Sequence, residues 1–172
     1  PYNLLLTRSV DFEAFFALLR LKYVDVIRPD STNDHLDLQL ALGITQMIWD
    51  RTEPSGYFPY LTEDRFPNTP DHKVLMHVAI GDHQVTPLGA HIMAGAVGAT
   101  NVSPLNRTIW GLESAPAPLT DDNAIVEFDF GLIPLPETNI APPADLYPKE
   151  DDPNDKVRVL DAAVRQTIDW FR

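Results

Sequence analysis

The run from Lys73 to Ala99 restricts this chain more than any other part of it. Lys73–Ile80 (KVLMHVAI) is short, mostly apolar and β-prone, and it stops at Gly81-Asp82. Such a run suits a strand buried in a parallel sheet, where neither face alternates with polar residues. A helix follows at once over 86–98. Thr86 is placed to cap it, Pro87 takes its first position, and Gly98 supplies the stop. Strand, acidic turn and helix make half of a βαβ unit, whose crossover requires a second parallel strand. Ile125–Phe130 (IVEFDF) is the natural partner. The expected fold class is therefore α/β, with two or three parallel strands flanked by helices.

The rest of the chain divides around this unit into a helical, cap-like segment with a Pro-rich loop (1–72) and a strand–helix–strand–loop–helix part (73–172). Residues 9–28 read as a helix capped by Ser9 or Asp11, with Phe12, Phe15, Phe16 and Leu19 on one face and Pro29 ending it. Residues 34–51 read as a second helix. Leu36, Leu40, Ile44, Met47 and Ile48 form its stripe, and Leu38, Leu42 and Trp49 widen it, so burial in a core or under a partner is expected. Residues 52–72 have loop composition, with Pro54, Pro59, Pro67 and Pro70. Residues 131–156 are a long Pro- and acid-rich excursion, and 157–171 close the chain as an amphipathic helix carrying Val157, Leu160, Ala163, Val164, Ile168 and Phe171. No internal repeat is present. The chain opens at Pro1 on an apolar run and stops inside a helical pattern, which reads as part of a longer polypeptide without its own signal peptide.

With 172 residues, 44% hydrophobic and 22% charged, a packed core is within reach. The formal charge is −12, the opposite of the basic footprint that nucleic acid or an anionic membrane requires. No stretch has the apolar length of a transmembrane helix. The absence of cysteine excludes disulfides, zinc–thiolate sites, iron–sulfur clusters and cysteine nucleophiles.

Gly81-Asp82-His83-Gln84-Val85-Thr86-Pro87 resembles the late strand, acid-bearing turn and helix of the α/β-hydrolase fold. With Leu6-Thr7-Arg8-Ser9-Val10-Asp11-Phe12, Met47-Ile48-Trp49-Asp50-Arg51 and Phe128-Asp129-Phe130-Gly131, the whole chain is similar to the C-terminal half of a group of bacterial, often exported, α/β-hydrolase proteins. The resemblance implies Asp82 as the acid that orients a catalytic histidine. It also implies a small ester, lipid or other acyl substrate, no cofactor, and an exported or cell-envelope location. The histidine belongs in an Asp-Pro-His segment before the closing helix, where this chain reads Asp152-Pro153-Asn154. Asparagine cannot shuttle a proton at neutral pH. An inactivating substitution, a natural loss of activity and a register displaced by a few residues all account for it. No histidine follows His91 to rescue the role.

None of Ser9, Ser31, Ser55, Ser103 and Ser114 lies in a Gly-x-Ser-x-Gly elbow. In the resembling fold the nucleophile precedes the acid, so a missing N-terminal half or a companion chain is expected to carry it. Three readings stand: a segment of a serine hydrolase, an inactive hydrolase-like binding or structural module, and an unrelated small α/β binding domain. Asp82 as a simple turn cap belongs with the last. His83 reads as a crevice-lining, substrate-contacting residue. His72, His77, His83 and His91 lack metal-binding helical spacing. Glu150-Asp151-Asp152-Asp155 lacks a calcium-loop pattern and reads as a solvated charge run. Phe128-Asp129-Phe130-Gly131 reads as a strand end and glycine turn. Phe12, Phe15, Phe16 and Trp49 read as core, with an acyl-pocket cap as the other option.

Overall fold

The computed structural model describes residues 2–22, 34–119, 122–132 and 149–172. Its centre is a parallel four-stranded sheet of order β1-β4-β2-β3, with β1 Leu75–Ala79, β2 Thr100–Ser103, β3 Ser114–Pro116 and β4 Ala124–Phe128. The α/β class holds, with more strands than expected. β1 and β4 sit where the apolar runs place them and pair in register from Leu75↔Ala124 to Ala79↔Phe128. β2 and β3 lie between α5 and β4, where no element is expected from the residues. Thr100-Asn101-Val102-Ser103 is short and polar, and its strand character comes from pairing with its neighbours rather than from its side chains.

Helix α5, Pro87–Ala96, follows β1 and covers one face of the sheet. Pro87 occupies the first turn as expected, but the Thr86 hydroxyl makes no capping bond. Gly98, at φ 62°, ends the helix, and the next residue, Ala99, donates its N–H back to the Ala94 carbonyl. Under α5 the core gathers Met76, Val78, Ala94, Val97, Ile109 and Ile125. Phe58 joins them from α4, Phe58–Thr62, which follows a 3₁₀ turn at Pro54–Tyr57. The Pro-rich stretch read as loop thus contributes a core residue: proline is tolerated in the first turn of a helix and does not forbid one.

The N-terminal reading needs more correction. Leu4-Leu5-Leu6 belong to a helix, α1, Tyr2–Arg8, and the next helix, α2, is confined to Glu13–Arg20. Ser9 lies between them, its Oγ accepting the Asp11 N–H at 3.2 Å, so it stabilises a corner instead of capping a long helix. The end expected near Pro29 falls on 23–33, outside the described residues. Phe12, Phe16 and Leu19 pack on a second cluster of Leu6, Leu38 and Leu42, while Phe15 is exposed. Helix α3, Asp34–Trp49, buries Leu38, Ala41 and Leu42 and leaves Leu36, Leu40, Ile44, Met47 and Ile48 exposed. The buried face is therefore the opposite of the expected stripe. An all-apolar helix has no unique buried side in its sequence, and the packing of α1 chooses one.

The closing helix is interrupted. Leu160 is extended, at φ −70° and ψ 120°, and separates α6, Lys156–Val159, from α7, Asp161–Trp170. Ala163 is buried, but Val164, Ile168 and Phe171 of the expected stripe are exposed. Residues 133–148 of the long excursion lie outside the described residues. No helix among the described residues is long and apolar enough to cross a membrane.

Ile125, with no exposed surface, stands at the middle of the sheet and core. Replacing it by alanine is expected to cost about 2–5 kcal/mol. Urea denaturation measures this, and a loss below about 1 kcal/mol would show that the β4 core is not the stabilising centre.

Candidate functional site

Asp82 follows β1 through a tight turn in which Gly81 has φ 86°. Its own main-chain N–H is donated to the Ala79 carbonyl. Asp82 Oδ1 accepts the N–H groups of Gln84 at 3.0 Å and Val85 at 2.6 Å. This is the turn-capping geometry that aspartate favours. The second oxygen does something different: Oδ2 accepts Nδ2 of Asn154 at 2.9 Å. The two sequence-predicted residues are thus brought together from positions 72 apart in the chain. Asn154 is buried, and its Oδ1 accepts Arg158 Nη2 at 3.4 Å.

Burial raises the Asp82 carboxyl above its ordinary value. The bonds from Val85, Asn154 and Gln84 pull it down, and the charge of Asp152 adds to the rise. The folded carboxyl binds its proton more tightly than the unfolded one. Ionising Asp82 consequently costs stability as pH rises through the raised value. A carboxylate kept at some cost beside a cavity is a candidate site group.

Asp82 and Asn154 stand in the wall of a cavity of about 440 Å³. The other walls are largely apolar: Leu5 from α1, Phe58 from α4, Ala90 and Met93 from α5, and Val157 from α6. His77 also lines it, with Nε2 placed 2.9 Å from Gln166 Oε1, and burial lowers its pKa against the raising effect of that bond. Ser55 is present as well, its hydroxyl in contact with the Glu53 carboxylate, on a 3₁₀ turn rather than a strand-to-helix elbow. Such a volume, mostly apolar with a few convergent polar groups, suits a small molecule.

His83 does not line this cavity. Its side chain is fully buried on the other side of the turn, Nδ1 lying 3.1 Å from the Gly81 carbonyl oxygen and Nε2 3.4 Å from Asp152 Oδ2. The crevice-lining role expected for it has no counterpart in the lining of this cavity. Asp152 likewise leaves the solvated charge run to which it was assigned, since it is buried while Glu150, Asp151 and Asp155 are exposed. Asp129 Oδ1 accepts the Gly131 N–H at 2.8 Å with Gly131 at φ 73°, which makes Phe128–Gly131 a strand end and glycine turn. Phe12, Phe15, Phe16 and Trp49 do not line the cavity, where Phe58 is the aromatic wall. No cluster of metal-ligating side chains is found among the described residues.

A polar network escaped the sequence reading. Glu127 of β4, with its side chain almost fully buried, accepts Arg107 Nε and Nη2 at 2.7 Å each and lies 2.7 Å from His91 Nε2. Burial would raise the Glu127 carboxyl, but the bonds and charges of Arg107 and His91 prevail and hold it at about 2. A charged residue inside the IVEFDF run was the only available signal. Its partners come from separate elements.

No protein-family model, curated protein or solved structure matches this chain.

The two carboxylates should respond to pH with opposite sign. The depressed Glu127 contributes up to about 3 kcal/mol above pH 4.5, lost as pH falls from 4.5 towards 2. Glu127→Gln is expected to remove that acid-sensitive part, whereas Asp82→Asn, which loses the acceptor for Asn154, is expected to show a smaller deficit at pH 7 than at pH 3, because it no longer ionises. Urea denaturation at pH 7 and pH 3 tests both; an Asp82→Asn deficit larger at pH 7 than at pH 3 would refute the second.

Proposed function

We propose that this chain is the acid-bearing part of a hydrolase-like module that binds an apolar, acyl-type ligand in the cavity at Asp82 and does not turn it over. The observation carrying this reading is the 2.9 Å bond from Asn154 Nδ2 to Asp82 Oδ2. A histidine in a hydrolase relay donates a ring N–H to the acid and uses its other nitrogen as general base. A carboxamide makes the same bond to the acid but has no basic nitrogen to take a nucleophile's proton. The arrangement keeps the orientation and lacks the proton transfer.

A second reading, a working serine hydrolase completed by an additional segment or a companion chain, is favoured by the outer edge of β1. Ala124 donates its N–H to the Val74 carbonyl, and Ile80 donates to that of Phe128. By the two-residue period of the strand, Leu75 and His77 turn their main-chain groups away from β4. No strand among the described residues pairs with that side of β1. A strand added there would run beside the cavity, and a nucleophile at its end would approach Asp82.

Calorimetric titration with decanoate and with a non-hydrolysable decanoyl ester analogue is expected to show binding. Ala90→Trp, which fills the cavity, is expected to weaken it at least tenfold, about 1.4 kcal/mol. A p-nitrophenyl decanoate assay is expected to show no turnover by this chain. Absence of binding by either ligand would sink the binding reading. Labelling of a co-purifying polypeptide by a fluorophosphonate, with ester turnover gained on Asn154→His, would establish the second reading in its place.

A further inference from the structure

We propose that the buried pair of His83 and Asp152 has the task of positioning Asn154 against Asp82. The two side chains are 0% and 1% exposed, with Nε2 and Oδ2 3.4 Å apart. The proton count follows from the neighbours. His83 Nδ1 faces the Gly81 carbonyl oxygen at 3.1 Å, and a carbonyl only accepts, so Nδ1 carries a hydrogen. Nε2 then faces a carboxylate oxygen, and two lone pairs cannot be held together in a dry interior. One further proton has to lie between them. Among the described residues, Asp82 and Arg158 are charged neighbours reached through Asn154.

The consequence for the site is geometric. The other Asp152 oxygen, Oδ1, accepts the main-chain N–H of Asn154 at 2.9 Å, which fixes the turn through the buried Pro153. The Asn154 side chain then reaches Asp82, the residue before His83. The connections form a closed ring: His83 to Asp152, Asp152 to the Asn154 backbone, Asn154 to Asp82, and Asp82 to His83 through the chain. The His83 carbonyl also accepts the Val10 N–H at 2.9 Å, so the same turn holds the corner between α1 and α2. Removing one partner of a buried polar pair leaves the other unsatisfied, and the segment carrying it then moves towards water. His83 and Asp152 are therefore positioning residues, and neither reaches the cavity.

The test uses the full 172-residue chain and needs no ligand, so its outcome is separate from that of the binding reading. In Asp152→Asn, which keeps the shape and loses the charge, the Asn154 main-chain amide is expected to exchange at least about tenfold faster relative to that of Ile125. The Asn154 side-chain amide signals should move to solvent-exposed positions at the same time. The double variant His83→Gln/Asp152→Asn, a neutral pair able to hydrogen-bond, is expected to recover at least half of that change. Asn154 exchange in the double variant that stays as fast as in Asp152→Asn would overturn the proposal. So would Asn154 exchange that accelerates only in proportion to Ile125, which is the mark of a merely structural contribution.

Discussion

The parallel pairing of β1 with β4 is the constraint on which the rest of this structure hangs. A parallel pair cannot be closed by a hairpin, so the chain between the strands must cross over the sheet. The crossover begins with α5 and continues through β2 and β3 before β4 returns beside β1. The final contact of the pair, Ile80 N–H to the Phe128 carbonyl, fixes where β1 stops. Beyond that point the chain turns at Gly81, and Asp82 emerges at the carboxyl end of the strand, where parallel sheets place their ligand crevices.

Three buried or half-buried carboxylates near the strand ends are handled in different ways. Glu127 is overcompensated, with a bidentate arginine and a histidine, so it stabilises the fold and ties β4 to α5 and to the loop after β2. Asp152 has one buried imidazole and one backbone donor. Asp82 accepts three hydrogen bonds and still has a raised pKa, because burial outweighs them and none of the donors carries a positive charge. The contrast of Glu127 with Asp82 separates a structural network from a site: the carboxylate bound to an arginine ties elements together, and the one raised by burial faces the cavity.

Much of this was legible in the chain. The apolar run ending at Gly81-Asp82, the proline at position 87 and the glycine at 98 are local signals, and the elements they mark stand within about two residues of expectation. The pairing of Asp82 with Asn154 was anticipated through a resemblance, and the structure gives it a distance. What escaped had no local signature. β2 and β3 are strands because of their neighbours. The buried face of α3 was read the wrong way round because nearly every side of that helix is apolar. Asp152 looks like the acids beside it, and only the burial of His83 against it sets it apart.

The sequence by itself determined the α/β class, the strand–turn–helix unit that presents Asp82, and the absence of a base at position 154. These follow from local sterics, hydrophobic period and side-chain chemistry, which act between residues close in the chain or within one side chain. The tertiary structure alone decided that His83 turns inward to Asp152, that Phe58 enters the core, and that Glu127 meets Arg107 and His91. Each of these is a contact between distant segments. Its energy depends on desolvation and on a distance set by packing, neither of which has a counterpart in the order of the residues.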